Sequence, residues 1–223
     1  MEIWLDTTKQ ACVTEASRMG LLHGVTTNPK LIAQSDASLD EIIPGLLAIQ
    51  PGPVAVQVLA DETLGMIEQG KKLHAYSSRI IVKIMATAKG FEAMHGLNRL
   101  NIPVMATAIF EPFQALLAWK AGASYAAPYL GRIADQGGDP LAVLQSMRQM
   151  KEFYGFKGKI LAAGIRHSDL LKACAETGIC AITIPDMVWK NILQGSEGTR
   201  KSIGEFSLAW QSSKHLGKND LWF

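Results

Sequence analysis

The residue most suggestive of chemistry is a lysine inside an apolar run, with Ile80-Ile81-Val82 before Lys83 and Ile84-Met85 after it. Lysine is rarely buried without a partner. Burial lowers its pKa from about 10.4 and exposes a neutral amine able to attack a carbonyl carbon. The plainer reading is a lysine that snorkels past a strand end to solvent. On Lys83 alone the two readings balance, and the neighbouring polar residues tip the balance toward chemistry. Asp6, Asn28, Gln57, Thr107, Tyr129 and Arg166 each stand at or near the end of another short apolar run.

Taken singly, these residues have ordinary explanations. Asp6 precedes a helical stretch and has the chemistry of an N-cap. Asn28-Pro29 reads as a turn, with proline opening the next helix. Tyr129 suits a core, and Arg132 and Arg166 suit a surface. His167, next to Arg166, is read as a capping or solvated residue in preference to one that touches substrate.

Eight β-branched-rich runs supply the strands that would position the set: 3–6, 24–28, 54–59, 80–85, 104–110, 125–130, 160–165 and 181–185. Their interior positions are apolar on both sides, as strands of a helix-covered parallel sheet must be. Segments with helical spacing alternate with them, at 8–19, 39–49, 62–76, 88–100, 112–121, 140–153 and 168–177. A short helix after Pro185 and a last one near 197–212 follow. Gly122 and Gly178 fall where helices must end left-handed, and Asp139-Pro140 pairs a cap with proline at the first helical position. Gly137-Gly138 is read as a tight turn before that helix. Eight unbroken alternations predict α/β architecture: a single (β/α)8 TIM barrel over residues 1–223, with 197–223 as a C-terminal helix and tail. In such a barrel the C-terminal strand ends carry the active site, which places the polar residues on one rim. Two arginines after the sixth and seventh strands lie where barrel phosphate sites commonly occur.

Composition excludes several classes. The 223 residues carry a formal charge of only +2, without a basic stripe, so no nucleic-acid partner is expected. No apolar run is long enough to span a membrane, and the N-terminus lacks the pattern of a secretory signal. Three unpaired cysteines, Cys12, Cys174 and Cys180, fit a reduced, cytoplasmic setting. The Leu221-Trp222-Phe223 tail reads equally as a docking segment or as self-packing. No Walker loop, dinucleotide fingerprint, metalloprotease motif or metal-ligand spacing occurs, so no cofactor and no metal is expected. Activation of a carbonyl then falls to an amine.

The chain resembles the transaldolase family, in particular its small fructose-6-phosphate aldolase-like members. The pieces are Leu5-Asp6-Thr7, Gly24-Val25-Thr26-Thr27-Asn28-Pro29, Val82-Lys83-Ile84, Ala106-Thr107-Ala108, Ala127-Pro128-Tyr129 with Arg132, Gln136-Gly137-Gly138, and Ile182-Thr183-Ile184-Pro185. The resemblance implies a metal-free Schiff base at Lys83 with dihydroxyacetone as donor. It implies Asp6, Asn28 and Thr26 on the donor side, a catalytic water held by Thr107, Gln57 and Tyr129, and acceptor phosphate on Arg132 and Arg166. Small ketose and aldehyde substrates and a homo-oligomer of decamer type follow from the same likeness. Gln57 and Tyr129 stand where transaldolases proper have Glu and Phe, which favours aldol cleavage over transfer. Departures are Gly164-Ile165-Arg166 for the usual Ser-Phe-Lys, Met85-Ala86 for Pro-Val and Leu130-Gly131 for Val-Asn. A reading of another class is a silent barrel that binds sugar phosphates, against which the intact lysine rim speaks.

Overall fold

In a computed structural model, which describes residues 1–213, eight parallel strands close into a barrel in chain order. The first half runs β1 (Glu2–Asp6), α1 (Gln10–Arg18), β2 (Gly24–Thr26), α2 (Pro29–Ala33), α3 (Leu39–Ile49), β3 (Val54–Gln57), α4 (Thr63–Tyr76), β4 (Ile80–Met85) and α5 (Ala88–Arg99). The second half runs β5 (Val104–Ile109), α6 (Pro112–Lys120), β6 (Tyr125–Pro128), α7 (Leu130–Asp135), α8 (Pro140–Phe153), β7 (Lys159–Ala162), α9 (Ser168–Glu176), β8 (Ala181–Pro185), α10 (Asp186–Leu193) and α11 (Glu197–Gln211). The predicted TIM barrel with an added C-terminal helix is the observed architecture. The 221–223 aromatic tail lies outside the described residues.

Alternation along each strand divides the apolar side chains into two cores. Leu5, Val25, Val56, Val82, Ile84 and Ile182 face outward and join the large core beneath the helices. Trp4, Ala55, Ile81, Met105, Tyr125 and Leu161 face inward and fill the barrel. Trp4 is fully buried, meeting the Tyr125 ring edge-on at 5.4 Å and the His23 ring at 5.2 Å between centroids. Burying such a ring contributes on the order of 2–3 kcal/mol. Gly24 makes room for it, because a Cβ there would come within 2.7 Å of the indole.

Helix ends follow the expected chemistry. Asp139 accepts hydrogen bonds from the Leu141 and Ala142 N–H groups at 2.9 and 3.1 Å. Gly122 and Gly178 adopt φ of +95° and +73°, which side-chain-bearing residues rarely tolerate. Helix α2 begins at Pro29, which the sequence reading had opening a helix, while α7 occupies a segment read from sequence as the end of the sixth strand and the loop after it. The second strand stops at Thr26 because Asn28 turns its side chain to cap α2. The sixth stops at Pro128 because Leu130 and Gly131 already bond to the carbonyls of Ala163 and Gly164.

Candidate active site

The same alternation that sends Trp4 and Ile81 into the barrel sends Asp6, Thr26, Gln57, Lys83 and Thr183 into its C-terminal mouth. A cavity of about 620 Å³ opens there, and all nine residues singled out in the sequence line it: Asp6, Thr26, Asn28, Gln57, Lys83, Thr107, Tyr129, Arg132 and Arg166. Gln57 sits beside Lys83 in the β3–β4 register, and Thr107 beside Met85 in the β4–β5 register.

Lys83 is 5% exposed. Burial pushes its pKa down from the usual lysine range, opposed only by the nearby Asp6 carboxylate. The hydrogen bond described for Nζ goes to the Thr27 carbonyl at 2.6 Å. A neutral amine that donates one N–H to a carbonyl keeps its lone pair, so this contact is compatible with either protonation state of the lysine. Thr27 is itself locked, its N–H and hydroxyl both donating to the Ala55 carbonyl at 2.9 Å.

Asp6 is raised above the ordinary carboxylate pKa by burial, while Lys83 and hydrogen bonds from Thr26 and Asn28 pull the other way. The Thr26 hydroxyl lies 2.8 Å from Asp6 Oδ1 and 2.8 Å from the Thr183 hydroxyl, forming a chain across β1, β2 and β8. Asp6 is therefore not the cap of α1; Lys9 occupies that position without a side-chain bond. Asn28 does cap, its Oδ1 accepting from the Leu31 N–H at 3.0 Å, while its side chain also bonds the Asp6 carboxyl. Here the plain and functional readings of one residue coexist.

Across the mouth the Thr107 hydroxyl donates to the Tyr129 hydroxyl at 3.0 Å. Between Ala106 and Ile109, β5 advances one residue more than β6, a bulge, and Ala108 within it has φ of +55°. That left-handed conformation in a residue other than glycine costs on the order of 1 kcal/mol and re-aims the strand end. Arg132 stacks over the Tyr129 ring, 4.9 Å from its centroid, and Phe110 packs edge-on with the same ring at 6.0 Å. Arg166 grips Asp135 through both terminal nitrogens. His167 caps α9, its Nδ1 accepting from the Leu170 N–H at 3.2 Å, as read from sequence.

Sequence reasoning passed over the Thr27 carbonyl, Thr183 and Asp135. Thr183 had a signal: like Lys83, it interrupts a buried apolar strand on the inward face. Among the described residues, no group of three or more His, Cys, Asp and Glu side chains is placed to hold a metal ion. Among them too, no helix is long and apolar enough to cross a membrane.

The mouth of the parallel barrel thus joins a buried amine, a half-buried carboxyl and paired hydroxyls. A family model described as transaldolase/fructose-6-phosphate aldolase matches residues 3–220. The probable transaldolase of Coprothermobacter proteolyticus is 35% identical over 210 residues, covering 94% of this chain and 96% of its own. The probable transaldolase of Caulobacter vibrioides is 36% identical, with 96% and 98% covered. That of Thermoplasma volcanium is 35% identical, with 98% and 99% covered. The chain belongs to the transaldolase/fructose-6-phosphate aldolase family and is an enzyme of the aldolase/transaldolase type.

Proposed function

We propose that the protein is a class I aldolase that cleaves or forms the C3–C4 bond of fructose 6-phosphate-like ketoses, with dihydroxyacetone as donor. The observation that carries this reading is Lys83, a buried amine of lowered pKa aimed into the cavity beside Asp6. The amine adds to the C2 carbonyl, and loss of water gives an iminium. Breaking C3–C4 sends its electron pair into the iminium, leaving an enamine, while the C4 hydroxyl loses its proton and becomes the aldehyde. Asp6, Asn28 and Thr26 hold the donor hydroxyls. Thr107, Gln57 and Tyr129 hold the water that takes that proton, and Tyr129 relays a proton back to C3. Hydrolysis of the new iminium frees dihydroxyacetone. Arg132 and Arg166 face the acceptor end of the cavity. The whole reaction belongs to the one barrel, within an assembly of several copies. In support of assembly, α11 buries none of its residues among those described, and Ile203, Phe206 and Leu208 are all largely exposed.

Borohydride reduction with dihydroxyacetone or fructose 6-phosphate tests the core of this reading. One reduced adduct, located at Lys83 by peptide mass spectrometry, is expected. An adduct on another lysine, or none, would refute the mechanism.

The relatives' own descriptions favour a second reading, transfer of the dihydroxyacetone fragment between sugar phosphates. Against it stands the Tyr129 hydroxyl at 3.0 Å from Thr107, where a proton donor favours release of the fragment. Comparing free dihydroxyacetone formation with transfer to erythrose 4-phosphate separates the two. Replacing Gln57 by Glu is expected to move the ratio toward transfer.

A further inference from the structure

Three cations stand at the cavity mouth, Lys30, Arg132 and Arg166, and they are not equally available. Among the described residues Lys30 has no ion pair, and the Arg132 guanidinium has its ring contact with Tyr129 but no ion pair. Arg166 is different. Its Nη1 donates to Asp135 Oδ1 at 2.6 Å, and its Nη2 donates to Oδ2 of the same carboxylate. The two-pronged edge that would grip a phosphate is thereby filled by a carboxylate of α7. The remaining edge is turned toward the protein. A Cβ on Gly131 would fall 2.8 Å from Arg166 Nε, 3.1 Å from Cγ and 2.4 Å from the Gly164 carbonyl oxygen. Only a glycine at 131 lets the arginine stem lie across the start of α7 and reach Asp135, about one turn further along the helix.

We propose that Asp135 is a specificity-determining residue: by occupying both prongs of Arg166 it disfavours acceptors bearing a phosphate and leaves uncharged aldehydes unaffected. This rests on the reading that the acceptor enters at this mouth. A phosphate must displace the carboxylate or bind beside it and meet its charge. Both side chains of the pair are about half exposed, at 54% and 50%, so the pair is easily opened and its influence is modest. An exposed pair of this kind is worth a factor of roughly three to five in binding.

Titration with inorganic phosphate tests the competition without catalysis. Asp135→Asn is expected to bind phosphate three- to fivefold more tightly than the parent. Asp135→Asn combined with Arg166→Ala should bind no better than Arg166→Ala alone. In turnover, the kcat/KM ratio for glyceraldehyde 3-phosphate over glyceraldehyde should rise by the same factor in Asp135→Asn, with glyceraldehyde itself little changed. Weaker or unchanged phosphate binding in Asp135→Asn would overturn the proposal, since the carboxylate would then position Arg166 rather than compete for it. So would a gain that survives removal of Arg166. Absence of turnover with either aldehyde would count against the aldolase reading alone, because the phosphate titration decides the role of Asp135 by itself.

Discussion

Strand β1 carries two inward-facing carboxylates four residues apart, with Trp4 between them, and the barrel treats them oppositely. At the N-terminal mouth Glu2 receives hydrogen bonds from Trp4 Nε1 at 3.3 Å and the Tyr125 hydroxyl at 3.0 Å. It also receives the Lys159 ammonium, and His23 Nε2 lies 3.5 Å away. Burial alone would push the Glu2 pKa up, but the Lys159, Tyr125 and Trp4 bonds outweigh it and hold it below the ordinary value. At the C-terminal mouth, burial of Asp6 wins over its Lys83, Thr26 and Asn28 partners and the pKa rises. Carboxylates of one strand are thus held below the ordinary pKa at one end and above it at the other. This matches the general division in such barrels, with stability at the N-terminal face and chemistry at the C-terminal rim.

The sharpest way to break this division is to remove the amine. Lys83→Met is expected to abolish the borohydride adduct and lower turnover by on the order of 10⁴-fold or more, while Glu2→Gln leaves turnover nearly unchanged. Comparable losses in the two variants would erase the distinction between the ends. Next in size is Tyr129→Phe. Proton transfer by a positioned group contributes roughly 10²- to 10⁴-fold. Free dihydroxyacetone release should therefore fall by that order, while trapping at Lys83 persists and transfer to an aldehyde is comparatively spared. Parallel loss of trapping and release would instead assign Tyr129 to the shape of the site.

Stability should move the other way at the rim. Buried ionisable groups replaced by neutral groups of similar volume are often neutral or stabilising by about 1–4 kcal/mol, because the desolvation cost is removed. Asp6→Asn combined with Lys83→Met is accordingly expected to be inactive yet to melt several degrees higher, since about 1 kcal/mol moves Tm by about 2–4 °C at this chain length. A lower Tm would mean that the rim charges hold the barrel together and that the two ends differ less than their pKa directions imply.

The rim was largely legible in the sequence because each strand announces itself by burial on both faces, and a lysine or threonine breaks that pattern visibly. Lys83 and Asp6 needed only the barrel's closure to bring them together. Three kinds of feature left no such trace. Helix α7, of 6 residues, is too short for a period to emerge, and α2, of 5, showed only its opening proline. The bulge at Ala108 places a left-handed backbone where no glycine flags it. Contacts across long separations are the third: Arg166 finds Asp135 31 positions away, and Glu2 finds Lys159 157 positions away. The Thr27 carbonyl that accepts from Lys83 belongs to the backbone, so no residue type could have revealed it.

The smallest expected effect is also the one that tests the comparison most directly, because it sets the two carboxylates of β1 against each other by pH. An unfolded glutamate titrates near 4.3 and an unfolded aspartate near 3.9. Folded Glu2 titrates lower, so between its folded and unfolded values the unfolded chain binds more protons and stability rises with pH. Its contribution is complete above the unfolded value and disappears as pH falls through the folded one. Lys159 is partly exposed, so the pair is screened and Glu2→Gln should cost only about 1 kcal/mol near neutral pH, with the gap closing in acid. Folded Asp6 titrates higher than its unfolded value, so the sign reverses. Its ionisation weakens the fold above the raised pKa, and the cost vanishes as pH falls through that pKa toward the unfolded value. Asp6→Asn should therefore be more stable than the parent near neutral pH, and this advantage should shrink on acidification. Urea unfolding of the parent, Glu2→Gln and Asp6→Asn from pH 7 to pH 3.5 measures both differences. Two gaps of opposite sign that both narrow in acid are expected; gaps of the same sign would show that the base and the rim hold their carboxylates in the same way.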